Sequence, residues 1–189
     1  MKDKFYAYIQ QLQDAITSKL EEVDGKATFQ EDIWKRPEGG GGRTRVIENG
    51  AVFEKGGVNI SGVRGELPDS MKTYFNVKEG NFFACGLSLV LHPKNPMVPT
   101  VHANWRYFEL YGNDGEIVDQ WFGGGQDLTP YYLFDEDAIT YAKQPATNTT
   151  LLFTILIKNV ATNISGTPIV MKRVVLADYF LITAKDHQK

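Results

Sequence analysis

Two tight-turn sequences set between runs of strand-forming residues constrain the fold of this chain most. Asn49-Gly50 lies inside RTRVIENGAVFEKGGVNIS, and Asn113-Asp114-Gly115 lies inside TVHANWRYFELYGNDGEIVDQWF. Asn and Gly reach positive φ at little cost, which is what short hairpin turns require. Strands are expected over 45–53, 101–111 and 116–122. FFACGLSLVLHP adds a buried strand over 82–91, stopped at Pro93. Ahead of them, Phe5, Ile9, Leu12, Ile16 and Leu20 recur at spacings of three and four. That is one apolar stripe on a helix from Lys2 to Glu22, with Gly25 as its stop. A leading helix followed by successive hairpins gives an α+β class: a large antiparallel β-sheet flanked by α-helices.

The third strand carries the first chemical information. Val101, Ala103, Trp105 and Tyr107 alternate with His102, Asn104, Arg106 and Phe108. Strand geometry puts the second set on one face. An Arg beside a His on a sheet face can hold a carboxylate through its guanidinium fork, with the His exchanging protons near neutrality. His92 and His102 stand ten residues apart, which is short of the three or four ligands of a metal site. GGGGRTR, from Gly39 to Arg45, lacks the Gly-Lys-Ser/Thr ending of a phosphate-binding P-loop, so triphosphate binding is rejected. Its backbone N–H groups, with Arg43 and Arg45, suit carboxylates or phosphates; the plainer alternative is a flexible connection before a strand. In WFGGGQDLTPYYLF, three glycines permit close backbone approach. Asp127 and Thr129 are expected in a cap or turn, and Tyr131, Tyr132 and Phe134 in the core.

Charge and cysteine content close off other classes. The net charge of -3 gives no reason to expect nucleic-acid binding, and a single cysteine excludes an internal disulfide framework. The charged, amphipathic start has no apolar signal core, and no stretch is long and apolar enough for a transmembrane helix. A reducing, cytoplasmic location follows as the expectation.

Taken together and in order, GGGGRTRVIENGAVFEKGGVNIS, GLSLVLHPKNPMVPTVHANWRYFE and WFGGGQDLTPYYLFDEDA resemble the signature segments of the oxygen-dependent coproporphyrinogen III oxidases. The resemblance runs nearly unbroken from about Lys35 to Ala138. It implies a large antiparallel sheet sandwiched by helices. It also implies oxidative decarboxylation of two propionates of coproporphyrinogen III to vinyl groups, giving protoporphyrinogen IX in haem biosynthesis. Molecular oxygen would be the co-substrate, with no organic cofactor and with a divalent metal left open. By the same resemblance Ser88, Asn104 and Arg106 contact substrate, with Arg43 added from its glycine-rich segment. His102 is the catalytic proton donor. His92 and His102 are the candidate metal ligands. The family assembles as a homodimer.

After Ala138 the resemblance fails, so the chain divides into 1–138 and a tail, 139–189. Of 23 acidic residues only Asp178 and Asp186 fall in the tail, which also lacks Trp. Two histidines usual in the family are replaced by Thr140 and Ala142. A later motif, HRNEARGxGGxFFD, is absent, as are the helices that form the family dimer. When the codons implied for NISGTPIVMKRVVLADYFLI are shifted one nucleotide earlier, they permit EYFWNTHRNEARGVGGLFFD. KQPATNT similarly permits an alanine-cysteine-aspartate-lysine-histidine run typical of the family. The tail is therefore expected to be a frameshifted translation, the shift falling between Ala138 and about Lys143; the alternative is a genuinely divergent C-terminus. Such a tail is expected to integrate poorly with the sheet. Its apolar runs, TLLFTILIKNV and TPIVMKRVVLADYFLITAK, still have strand-forming composition. Two functional readings remain at this point: an oxidase whose present copy is inactive, or a non-catalytic tetrapyrrole-binding or misfolded fragment.

Overall fold

The computed structural model describes residues 1–136 and the backbone of 170–174 and 179–183. Helix α1 spans Lys2–Asp24 and stops where Gly25 takes φ 69°, its N–H donating to the Glu21 carbonyl at 2.9 Å. That left-handed cap is the conformation glycine adopts without steric cost. The helix runs slightly past the expected Glu22. Phe5 and Ile9 are buried as the stripe predicts, but the same line continues through Gln13 and Thr17. Leu12, Ile16 and Leu20 flank it and are only partly buried.

Six strands follow: β1 (Gln30–Lys35), β2 (Gly40–Glu48), β3 (Phe53–Glu66), β4 (Asn81–Pro93), β5 (Thr100–Tyr111) and β6 (Ile117–Thr129). Each pairs antiparallel with the next. A short helix, α2 (Asp69–Phe75), joins β3 to β4. The α+β antiparallel class is thus the observed one. The strand expected over 45–53 runs across its own turn. β2 stops at Glu48, Asn49 turns at φ 57°, and β3 starts at Phe53. The glycine-rich segment is not a loop at a rim. Gly41 and Gly42 are paired residues of β2, lying opposite Lys35 and Trp34 on one side and Gly62 and Ser61 on the other.

β7 (Val170–Val174) and β8 (Tyr179–Thr183) extend the sheet, β8 pairing antiparallel with β6 over Trp121–Gly125. The expected poor integration of 139–189 as a whole lies outside the described residues, while two short segments of the tail pair with the sheet. Their composition is strand-forming, and the β6 edge offers unpaired backbone groups. The division at 138 and the run LLFTILI lie outside the described residues.

The core lies between α1 and the sheet. Phe5 and Ile9 meet Val58, Ile60, Leu87, Leu89, Ala103, Tyr107 and Phe122, with the Phe5 and Phe122 rings edge-on at 5.2 Å. A smaller cluster packs on the opposite face, where Met71 and Phe75 of α2 meet Phe82, Phe108, Leu110 and Trp121. Asp24 locks α1 to the β2–β3 turn. Its buried carboxylate accepts from the backbone N–H of Ala27, Ala51, Val52 and Phe53 at 2.9–3.0 Å and of Lys26 at 3.2 Å. The Phe53 N–H and its companions hold this carboxyl well below the usual range. Gly50 leaves the room for it, since a Cβ there would stand 2.0 Å from Asp24 Oδ2.

Candidate functional site

Strand register decides which side chains share a neighbourhood. Val58, Ile60, Leu87, Leu89, Ala103 and Tyr107 face α1, so the alternate residues of β3, β4 and β5 face away from it. On that second face three lines cross the sheet. One is Thr44, Asn59, Ser88, Asn104 and Gly125; the next is Val46, Gly57, Val90, His102 and Asp127. The third is Gly42, Ser61, Gly86, Arg106 and Gly123. Ser88 and Asn104 are therefore direct cross-strand neighbours, with Cβ atoms about 5 Å apart in such pairs. His102 and Arg106 lie about 13 Å apart along β5 at the strand rise. Arg106 stands between Gly86 and Gly123. A Cβ at Gly86 would lie 2.6 Å from the Trp105 carbonyl and 3.2 Å from Arg106 Cγ.

Two adjoining hollows open on this face. One, of about 280 Å³, is lined by Ser88, His102, Asn104, Arg106, Asp127 and Thr129, among others. The other, of about 620 Å³, shares Ser88 and Arg106 and reaches Asn59 on one side and an apolar wall of Met71, Phe82, Phe108 and Trp121 on the other. The rings of that wall are stacked: Phe108 lies at 21° to Trp121 with centroids 5.2 Å apart, and at 12° to Phe82. Along β5 the groove thus runs from the His102 ring through Asn104 to the Arg106 guanidinium, and the apolar surface begins directly beyond Arg106.

His102 Nδ1 lies 2.7 Å from Asp127 Oδ1, and the Thr129 hydroxyl donates to the same oxygen at 3.2 Å. Asp127 is neither cap nor turn; it is a paired residue of β6 directly opposite His102. An Nδ1–H held by a carboxylate fixes the ring and leaves Nε2 for a ligand. Counting back from the Asn113–Gly115 turn would set His102 against Gln126. The ladder instead gains one residue between Leu110 and Tyr111, and that irregularity brings Asp127 into register.

His92 sits on the same face near the end of β4, with Nδ1 3.4 Å from Thr100 Oγ1. No group of three or more His, Cys, Asp or Glu able to hold a metal exists among the described residues. His92 and His102 by themselves do not supply the three protein ligands of a catalytic metal site.

Arg43 is not brought together with the others. It lies on the α1 face, where its Nε donates to Gln13 Oε1 at 2.6 Å and its Nη2 to the Gln10 carbonyl at 3.0 Å and Asp14 Oδ1 at 2.8 Å. Sequence alone assigns it to a glycine-rich loop, but a strand's alternation sends it to the sheet's other side. Tyr131, Tyr132 and Phe134, expected in the core, lie past the end of β6 and are exposed. Burial, then the Glu109 carboxylate, push the Tyr107 phenol far above its ordinary value. That pair also faces α1, away from the groove.

No helix among the described residues is long and apolar enough to cross a membrane. The model of the coproporphyrinogen III oxidase family matches residues 4–150, which takes in α1, all of β1–β6 and every residue of the groove. This chain belongs to the coproporphyrinogen III oxidase family.

Proposed function

We propose that the polar face of the sheet binds coproporphyrinogen III, and that the locus encodes the oxygen-dependent enzyme that converts it to protoporphyrinogen IX. In each of two steps a propionate loses CO2 and a proton from the carbon next to the pyrrole, leaving a vinyl group, and the two electrons released pass with two protons to molecular oxygen, which leaves as hydrogen peroxide. The observation that carries this reading is the register placing Ser88, His102, Asn104 and Arg106 along one groove with a flat aromatic wall. Arg106 offers its guanidinium fork to a propionate carboxylate. Ser88 and Asn104 add hydrogen bonds beside it. His102, oriented through Asp127, presents Nε2 for proton exchange with the reacting pyrrole. The partly exposed rings of Phe82 and Trp121, backed by the buried Phe108, receive the apolar body of the macrocycle.

The copy in hand is proposed to bind without turnover. In this reading the frame is lost between Ala138 and about Lys143, and the rest of the pocket is not translated. The codons permitted for Asn163–Ile182 support it, and the family match stops at residue 150 of 189, a few residues beyond Lys143. Catalysis needs both carboxylates held and the site closed to bulk water, which half a pocket does not achieve. The test is DNA sequencing across codons 138–143, followed by assay of both proteins on coproporphyrinogen III. The restored frame is expected to release CO2 and consume oxygen, and the present chain to do neither. Turnover by the present chain at the restored protein's rate overturns the reading.

A further inference from the structure

Among the described residues, one buried side-chain polar atom has no hydrogen-bond partner: Oδ1 of Asn59. Such an atom normally finds a partner, because an unmet buried acceptor forfeits its hydration without return. Asn59 belongs to the polar line across the sheet, with Thr44 on one side and Ser88 on the other. It lines the larger hollow, on the line across the sheet next to that of Arg106 and two strands away from it. The acceptor therefore sits about 12 Å across the sheet from Arg106, a distance at which the body of a ligand reaches it while the guanidinium holds one of the ligand's carboxylates. We propose that Asn59 accepts a hydrogen bond from a pyrrole N–H and makes the groove selective for the reduced macrocycle over the oxidised porphyrin. This rests on the substrate reading above.

The chemistry gives the selectivity. A porphyrinogen is four pyrroles joined by saturated methylene bridges, so each ring can tilt and present its N–H outward. A planar porphyrin keeps its two N–H groups inside the ring, among its own nitrogens, with none to offer a side chain at its edge. The two molecules carry the same four propionates. Carboxylate contacts at Arg106 consequently cannot separate them, whereas an acceptor aimed at the macrocycle can. A hydrogen-bonding group that is left buried and unpaired by the wrong ligand is a strong source of discrimination.

The experiment measures binding of two probes to the full chain. Coproporphyrinogen III is measured by equilibrium dialysis under argon, with reoxidation for fluorescence readout; coproporphyrin III is measured directly by fluorescence. The proteins are the unaltered chain, Asn59→Leu, which keeps size without the acceptor, Asn59→Ala, which adds no bulk, and Arg106→Ala. Thermal melts identify variants that fold as the unaltered chain does. Both Asn59 variants are expected to weaken coproporphyrinogen about tenfold and coproporphyrin less than twofold. Arg106→Ala is expected to weaken both probes alike. Equal loss for the two probes in the Asn59 variants, or no loss for either, overturns the selectivity inference while Arg106→Ala still reports the site. If Arg106→Ala changes neither affinity, the substrate reading itself fails.

Discussion

Replacing Arg43 by Ala separates what this residue holds together from what the groove binds. Its Nε is the donor to Gln13 Oε1, and Gln13 is fully buried, so water cannot replace that donor. An orphaned buried acceptor of this kind costs about 1–3 kcal/mol. The ion pair to Asp14 is half exposed and adds about 0.5 kcal/mol, and the bond to the Gln10 carbonyl a comparable amount. A loss of about 2–3 kcal/mol is therefore expected, which for a chain of this size is about 5–10 °C in Tm. Circular dichroism melts and urea titrations on the unaltered chain and Arg43→Ala measure it, with coproporphyrin III binding recorded in parallel. Affinity for the porphyrin should stay within twofold, because Arg43 and the groove are on opposite faces of the sheet. An unchanged melt accompanied by a clear loss of affinity would refute the assignment of Arg43 to the α1 interface.

Asp24 gives a pH test. Its carboxyl is held below the usual carboxylate range, so the stability it contributes is present above about pH 4 and is lost as the pH falls further. The unaltered chain should show a Tm that declines below about pH 4; Asp24→Asn should be less stable at pH 7 and show a shallower acid decline, measured by melts from pH 7 to pH 3. Gly86→Ala should cost about 1–3 kcal/mol, because the added methyl meets the Trp105 carbonyl, and it should weaken coproporphyrin III binding by pushing Arg106 aside. Melts and fluorescence titration check the two effects, and a neutral outcome in both would contradict the packing described around Arg106.

Much of this architecture was legible because the turns and periods agreed with one another. Asn49-Gly50 marks a hairpin, Gly25 ends α1, and the alternation in β5 places His102, Asn104 and Arg106 on one face. What sequence did not give was relative position across strands. The one-residue irregularity beside Tyr111 decides whether His102 meets Gln126 or Asp127, and no local pattern announces it. Gln13 and Thr17 occupy the buried line of α1 through their hydrogen bonds: Gln13 to the Arg43 and Val58 carbonyls, and Thr17 back to its own helix. An apolar-stripe argument passes over both. Arg43 was misread for a related reason. Four glycines in a row look like a loop, yet here Gly40, Gly41 and Gly42 are paired strand residues whose missing side chains make room for Trp34 and the neighbouring backbone. A Cβ at Gly42 would meet the Trp34 ring at 2.5 Å, and one at Gly62, which faces Gly41, would meet the Tyr6 ring at 2.7 Å. Asn59 gave no hint in the sequence, since its unmet acceptor becomes visible only after the surrounding partners are placed.

The sheet has a hollow on each face, and which one takes the tetrapyrrole is the most direct test. The α1 side carries a cavity of about 530 Å³ lined by Tyr6, Gln10, Lys35, Arg64 and Phe83, so cations and aromatic rings are present there too. Hydroxyl-radical footprinting of the full chain, with and without saturating coproporphyrin III, reads both faces in one experiment. Protection is predicted at Met71, Phe82 and Trp121, with Tyr6 and Phe83 unchanged. Protection of Tyr6 and Phe83 with Met71 and Trp121 unchanged would contradict the proposed site.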